Sequence, residues 1–255
     1  MANRREQRVR GQVDTQERSG SFWRCSGENR LAWVTMAVLV VLVGCRSLPA
    51  ASWTAGDPAE SESVARGALE ATLPGEPVEM GFLFRLREAD LRFQGRGVAR
   101  IEPPYRVRLD LFSNRGETLF QAALVDGELR IPAWAPREMA PPPGLLWAAL
   151  GVFRPDPCWE LTGSQTERDH AVILRYETPG GEQLRFRIAD NRLVRAELHR
   201  GGRLVEEVTL TVDGSSGKVT DTVYRNRAEF VELSFHLQSV ETVAFFPPHI
   251  WTPGR

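Results

Sequence analysis

Lysine is nearly missing from this 255-residue chain: Lys218 is the only one, and arginine supplies every other basic side chain. The arginines are dispersed and offset by acids, so the formal net charge is −1 and no basic block exists. Nucleic-acid binding is excluded on that ground, because phosphate neutralisation needs clustered cations. Cysteine is equally scarce, with Cys25, Cys45 and Cys158 the only three. Cys25 and Cys45 belong to an N-terminal export segment, which leaves Cys158 alone. A disulfide framework is therefore excluded, and Cys158 reads as a small buried apolar residue. His170, His199, His236 and His249 lack the i, i+3 or i+4 partners of a metal site, and no metal or other cofactor is implied. A G-x-S-x-G elbow is also missing. Gly214-Ser215-Ser216-Gly217-Lys218 fails the spacing of a phosphate loop, and Val219 stands where a hydroxyl is required, so it reads as a hairpin turn. With no catalytic constellation, the chain reads as a non-enzyme.

No apolar run reaches the roughly 20 residues that a membrane-spanning helix needs. Leu31–Gly44 is uncharged and shorter, and residues 1–30 before it hold seven arginines and four acids. That is the layout of a secretory signal, a basic region followed by a short apolar one. It closes on Leu42-Val43-Gly44-Cys45, which resembles the bacterial lipobox. The resemblance implies a diacylglyceryl group on Cys45, cleavage before it, and a firm anchor of two or three acyl chains. Arg46 follows where an aspartate would mark inner-membrane retention, which implies the outer membrane, with the protein facing the periplasm. Residues 1–44 are then a signal peptide. Residues 45–56, small and polar, form a tether, and 57–255 have the size of one domain.

Asp57-Pro58-Ala59-Glu60 combines an N-cap, a proline at the first helical position and an acid in the first turn, and predicts a helix to about Thr72. Val64, Ala68 and Leu69 mark its inner face. Beyond Leu73-Pro74-Gly75 the dominant period is two. Leu91, Phe93, Gly95, Gly97, Ala99 and Ile101 alternate with polar residues. So do Tyr105, Val107, Leu109 and Leu111; then Leu184, Phe186 and Ile188; then Val231, Leu233, Phe235 and Leu237. This is the pattern of antiparallel strands with one apolar and one solvated face. Pro103-Pro104, Asn114-Arg115-Gly116, Asp126-Gly127, Pro179-Gly180-Gly181, Gly201-Gly202 and Asp213-Gly214 supply the turns. Near Glu206-Glu207 the alternation slips by one residue, which predicts a bulge. The runs amount to about eleven or twelve strands. Asp110, Glu182 and Glu232 alternate outward beside arginines and read as cross-strand surface partners.

Residues 133–157 interrupt the alternation. Gly144–Phe153 is too uniformly apolar for a half-buried strand and reads as a short helix behind Pro141-Pro142-Pro143. A large sheet with one apolar face must hide that face by closure or by a cover. The expected fold is therefore mainly β, a curved antiparallel sheet or unclosed β-barrel with helices covering its mouth. Its apolar cavity would be walled by Phe93, Val107, Leu109, Leu111, Phe186, Leu233 and Phe235. Leu145, Leu146, Trp147 and Leu150 would form the lid, either a displaceable cover or a fixed plug. Phe245–Trp251 is either a tail folded on the barrel or an exposed aromatic patch, with packing favoured.

In this order of elements the chain resembles the Lol-type (LolA/LolB-like) lipoprotein carrier and receptor family. The likeness runs over roughly residues 57–240. Phe93-Gln94-Gly95-Arg96-Gly97 is similar to an early strand of that family, Pro104–Leu111 to the next, Ser113–Thr118 to a protruding loop, and Leu145–Gly151 to the lid helix. The resemblance implies an unclosed barrel that binds acyl chains or lipoproteins, and the lipobox matches the anchored receptor rather than the soluble carrier. In the receptor an exposed leucine sits just before the loop glycine. Here the loop is Asn114-Arg115-Gly116, and a guanidinium resists insertion into hydrocarbon. The expected partners are a membrane, through the lipid anchor, and acyl chains or lipoproteins as ligand, with the protein monomeric. The alternative is a structural or assembly lipoprotein with a packed barrel that acts through protein contacts.

Overall fold

A computed structural model describes residues 57–135 and 140–254. The expected signal peptide, 1–44, and the expected tether, 45–56, with Cys45 at its start, lie outside the described residues. Helix α1, Pro58–Thr72, begins as its sequence requires: the Asp57 carboxylate accepts from the Ala59 amide at 3.0 Å, and Pro58 and Glu60 occupy the first turn. Ala68 is buried, with Val64 and Leu69 packed beside it. The helix stops at Leu73, which is extended.

Twelve strands follow, within the number the alternation indicated. The first group is β1 (Val78–Glu88), β2 (Leu91–Glu102), β3 (Arg106–Ser113), β4 (Thr118–Val125) and β5 (Glu128–Arg130). After helix α2 (Pro143–Ala149) come β6 (Glu160–Thr166), β7 (Val172–Glu177), β8 (Gln183–Ala189), β9 (Arg192–Arg200), β10 (Arg203–Val212), β11 (Val219–Asn226) and β12 (Val231–Thr242). Each group is an antiparallel meander, because short turns join neighbours. Pairing of β1 with β12 welds the two into a single sheet of order β5-β4-β3-β2-β1-β12-β11-β10-β9-β8-β7-β6. The edges are β5 and β6, which do not pair, so the barrel is unclosed.

Flat, twelve strands would span roughly 50 Å at their usual spacing. Instead, inner-face residues from β1 to β4 and from β7 to β12 share one apolar core with α1 and α2. Only a strongly curved sheet brings them together. The described residues belong to one compact unit, and this core lies within it. The bulge is where the sequence slips: the β9–β10 register shifts between Leu204 and Glu206. The extra residue puts Glu206 on the same face as Val208 and Leu210, where it is buried.

The outer face is not uniformly solvated. After β12 the chain folds back across β3 and β4; Phe246, and Trp251 on a 3-10 turn at Pro248–Trp251, pack on Ala123 and Val125. Phe245 remains exposed. Asp110 is consequently not a surface partner. Beneath this segment its buried carboxylate accepts from Arg100 at 2.9 Å, from Arg108 at 2.7 Å and from Gln121 at 2.9 Å. Arg108 also donates to the Ile250 carbonyl, and Gln121 accepts from the Gly254 amide at 3.1 Å. Glu182 and Glu232 do behave as outward partners, of Arg200 and of Arg225.

Candidate functional site

The concave face is built from aromatic and aliphatic side chains whose room is made by glycines. On β2 a Cβ at Gly97 would come within 2.1 Å of the Phe82 ring, and one at Gly95 within 2.9 Å of the Phe84 ring. Both rings need the floor that these glycines leave empty. Phe82 then meets Phe235 edge-on, with centroids 4.6 Å apart. Across the barrel Phe153, Phe186 and Tyr176 form a second cluster, with Phe153 and Phe186 perpendicular at 5.1 Å. Burial pushes the Tyr176 phenol up to about 12, with Glu62 adding to the shift.

Val107, Leu109, Leu111, Phe186, Leu233 and Phe235 all lie in the buried core. Phe93 has the inward phase but is 43% exposed, on the stretch of β2 that runs past its pairing with β3, which ends at Gly95 and Ser113. Leu145, Leu146, Trp147 and Leu150 are buried against the same core. Helix α2 is one short segment between prolines. Pro142 caps it without a side-chain hydrogen bond, and the amides of Leu145 and Leu146 both donate to the Pro142 carbonyl. It ends at Gly151, whose φ of +81° suits glycine and whose missing side chain leaves space for Val219. It packs chiefly on β9, β10 and β11. Among the described residues, no hydrogen bond or ion pair ties an α2 side chain to the sheet.

Two clefts flank this helix. At its start a cleft of about 370 Å³ is lined by Tyr105, Leu124, Gly144, Trp147, Arg154 and Trp159, with the Arg154 guanidinium 4.4 Å above the Tyr105 ring. At its end a cleft of about 290 Å³ is lined by Met80, Leu150, Gly151, Leu193, Val219 and Leu237. Beside the second cleft, under Ala149 and Leu150, the free space is about 20 Å³. An apolar ligand takes roughly 300–1,000 Å³, so the clefts have ligand dimensions and the space beneath the helix does not. Tyr105 and Trp159 were not among the sequence-predicted site residues. Aromatics placed beside turns, next to Pro103-Pro104 and before β6, are the signal that could have found them.

A polar pair, Tyr224 and Glu206, penetrates the concave face. The Tyr224 hydroxyl donates to Glu206 at 2.8 Å, and both groups are buried. Desolvation raises the Glu206 pKa, opposed by this hydrogen bond and by Arg200, and it also raises that of Tyr224.

Elsewhere the predicted elements separate. The Asn114-Arg115-Gly116 loop is exposed, far in sequence from the lid, and Ser113 Oγ holds it by accepting from the Arg115 and Glu117 amides. Cys158 is exposed rather than buried, since it sits in the turn between α2 and β6, where its amide donates to Asp156. His236 pairs with Asp221, and His199 with Glu197, each at 2.8 Å. Among the described residues no three His, Cys, Asp or Glu side chains gather as metal ligands.

No protein-family model matches the sequence, and neither does any curated protein. Solved structures do match. A LolA superfamily protein from Nitrosomonas europaea aligns over 75% of this chain and 97% of its own at 12% identity, with a TM-score of 0.55. A DUF1329 family protein from Desulfovibrio piger aligns over 78% of this chain and 98% of its own at 9% identity, with a TM-score of 0.50. The chain has the LolA-type fold, an open curved sheet with helices on its concave side.

Proposed function

We propose that this protein is a non-enzymatic, lipid-anchored envelope protein that binds acyl chains between the concave sheet and α2, as a step in lipoprotein localisation. The observation that carries the reading is the position of α2. A seven-residue helix of apolar side chains, untethered by side-chain hydrogen bonds, separates two clefts of ligand size. Displacing it would join them along a wall of Val107, Leu109, Leu111, Phe186, Leu233 and Phe235. Leu145, Leu146, Trp147 and Leu150 are then the lid, and Cys45 the anchor in the outer membrane, with a monomeric domain in the periplasm. The lipobox at Leu42–Cys45 supports the anchor, and the LolA-type fold supports the choice of ligand class.

The tight space beneath α2 favours a second reading, a packed scaffold that acts through protein contacts. Native mass spectrometry of the residue 52–255 unit separates the two. Co-purifying acyl lipid, lost in Trp147→Glu while circular dichroism retains the strands, supports the binder. A lipid-free mass together with no uptake of a fluorescent fatty acid overturns it in favour of the scaffold.

A further inference from the structure

The two clefts beside α2 differ in charge. The cleft at the start of the helix carries Asp126 and Asp156 against one cation, Arg154. The cleft at its end carries Arg192 and Lys218, and no acid lines it. Lys218 is the only lysine of the chain. It ends the Gly-Ser-Ser-Gly-Lys stretch that fails as a phosphate loop, and the fold brings that turn to the mouth of an apolar cleft.

The sheet sets the two cations side by side. Arg192 opens β9 and Lys218 immediately precedes β11, on either side of β10. The Arg192 guanidinium lies over Gly217, where a Cβ would come within 2.6 Å of it. Gly217 has φ +64°, so the turn and the close approach both require glycine. Among the described residues, neither the Arg192 nor the Lys218 side chain makes a hydrogen bond or an ion pair. Asp213, the acid of the same turn, is engaged elsewhere: its carboxylate accepts from the Ser215 hydroxyl at 2.8 Å and the Ser216 hydroxyl at 2.6 Å. The last turn of α1 also reaches the cleft, at Ala71 and Thr72, but a helix C-terminus supplies only about half a negative charge. The two cations therefore share one rim without a full countercharge, an arrangement that an anion relieves. The other walls include Met80, Leu150, Leu193, Val219 and Leu237, which are apolar and offer nothing to a small free anion.

We propose that this cleft takes the head of an anionic amphiphile, a carboxylate or phosphate monoester on an aliphatic chain, with Arg192 and Lys218 on the head. Met80, Leu150, Val219 and Leu237 line both the cleft and the small space beneath α2, so they give the chain its path. The inference rests on the acyl-binding reading and adds a head-group class and a direction. The head lies at the end of α2 and the chain points to its start, where Asp126 and Asp156 would repel a like charge. Arg192 supplies a planar fork and Lys218 a mobile point charge, a pair that suits either head.

Titration calorimetry of the residue 52–255 unit, with each amphiphile below its micellar concentration, tests the assignment. Dodecanoate and dodecyl phosphate should each bind about tenfold more tightly than dodecanol, which has the same chain, as expected of two partly exposed ion pairs. The tighter of the two identifies a fatty acid or a phosphate-bearing lipid as the source. Joint Arg192→Gln and Lys218→Gln substitution should lower both to the level of dodecanol, whose own affinity stays unchanged, and Lys218→Arg should retain the preference. Equal binding of all three by the wild type overturns the head-group inference and leaves the acyl-binding reading standing. A preference that survives the double variant overturns it too. Inorganic phosphate that binds as tightly as dodecyl phosphate assigns the cations to a free anion and likewise overturns it. Absence of binding by every chain overturns the acyl-binding reading itself, and this inference with it.

Discussion

Leu146 sits in the middle of α2 with none of its surface exposed, so its truncation to alanine reports directly on how the helix is held. Filling and burial together make such a change cost about 3 kcal/mol, within a range of roughly 2–5 kcal/mol. How that loss appears depends on whether α2 can leave the sheet while the strands stay folded. A fixed plug opens only with global unfolding, so the whole loss shows in the denaturant midpoint. A displaceable cover has a second native state, open, which the truncation does not touch. The global loss then levels off at the free energy of opening, and the remainder appears as a larger open population. A shift of 3 kcal/mol multiplies that population on the order of 100-fold. Exchange of the Leu146, Leu150 and Gly151 amides, whose acceptors all lie in residues 142–148, should accelerate by a similar factor. Apparent affinity for a fluorescent fatty acid should rise, because the competent fraction rises. Urea titration, hydrogen exchange and probe binding on one sample decide the matter. Full loss of about 3 kcal/mol, α2 amides that exchange only at the global rate, and unchanged or weaker affinity would refute the cover.

Two further outcomes follow from the polar groups. Asp110→Ala leaves Arg100 and Arg108, which face each other across the β2–β3 pair, without their shared carboxylate. Removing one partner of a buried ionic cluster costs about 3–5 kcal/mol, measurable by urea unfolding. The C-terminal segment should also become sensitive to protease, because Arg108 no longer orients toward Ile250; a loss under 1 kcal/mol with the segment still protected contradicts this account. Glu206, whose folded pKa is raised chiefly by burial, binds its proton more tightly folded than unfolded. Its contribution therefore weakens stability as pH climbs from its unfolded value through the raised folded one, and has no such effect below both. Glu206→Gln keeps an acceptor for the Tyr224 hydroxyl and should flatten that decline in thermal scans from pH 4 to 8. Superimposable wild-type and variant profiles would show that the carboxyl is not desolvated.

Several parts of the fold were legible because they depend on neighbours along the chain. The Asp57-Pro58 cap, the strand alternation, the turn dipeptides and the slip at Glu206 each express local backbone chemistry, and each appears where the residues put it. The apolar crowding of Gly144–Phe153 likewise marked a helix rather than a strand. The cleft beside α2 was less legible. Tyr105 and Trp159 come from segments 54 residues apart in the sequence and meet only because the curved sheet brings both to the start of α2.

A two-residue period states which side of a strand a residue faces and nothing about what lies over that side. Phe93 and Leu109 share the inward phase, yet one lies where β2 overruns β3 and is exposed while the other is sealed. Asp110 faces outward and is buried, since the C-terminal segment returns over β3. Sequence alone determined the mainly β class, the elements and their faces. Tertiary structure decided the β1–β12 weld, the open edges at β5 and β6 and the filled space under α2. Each of those is set by segments distant in the chain, whose meeting depends on the curvature of the whole sheet.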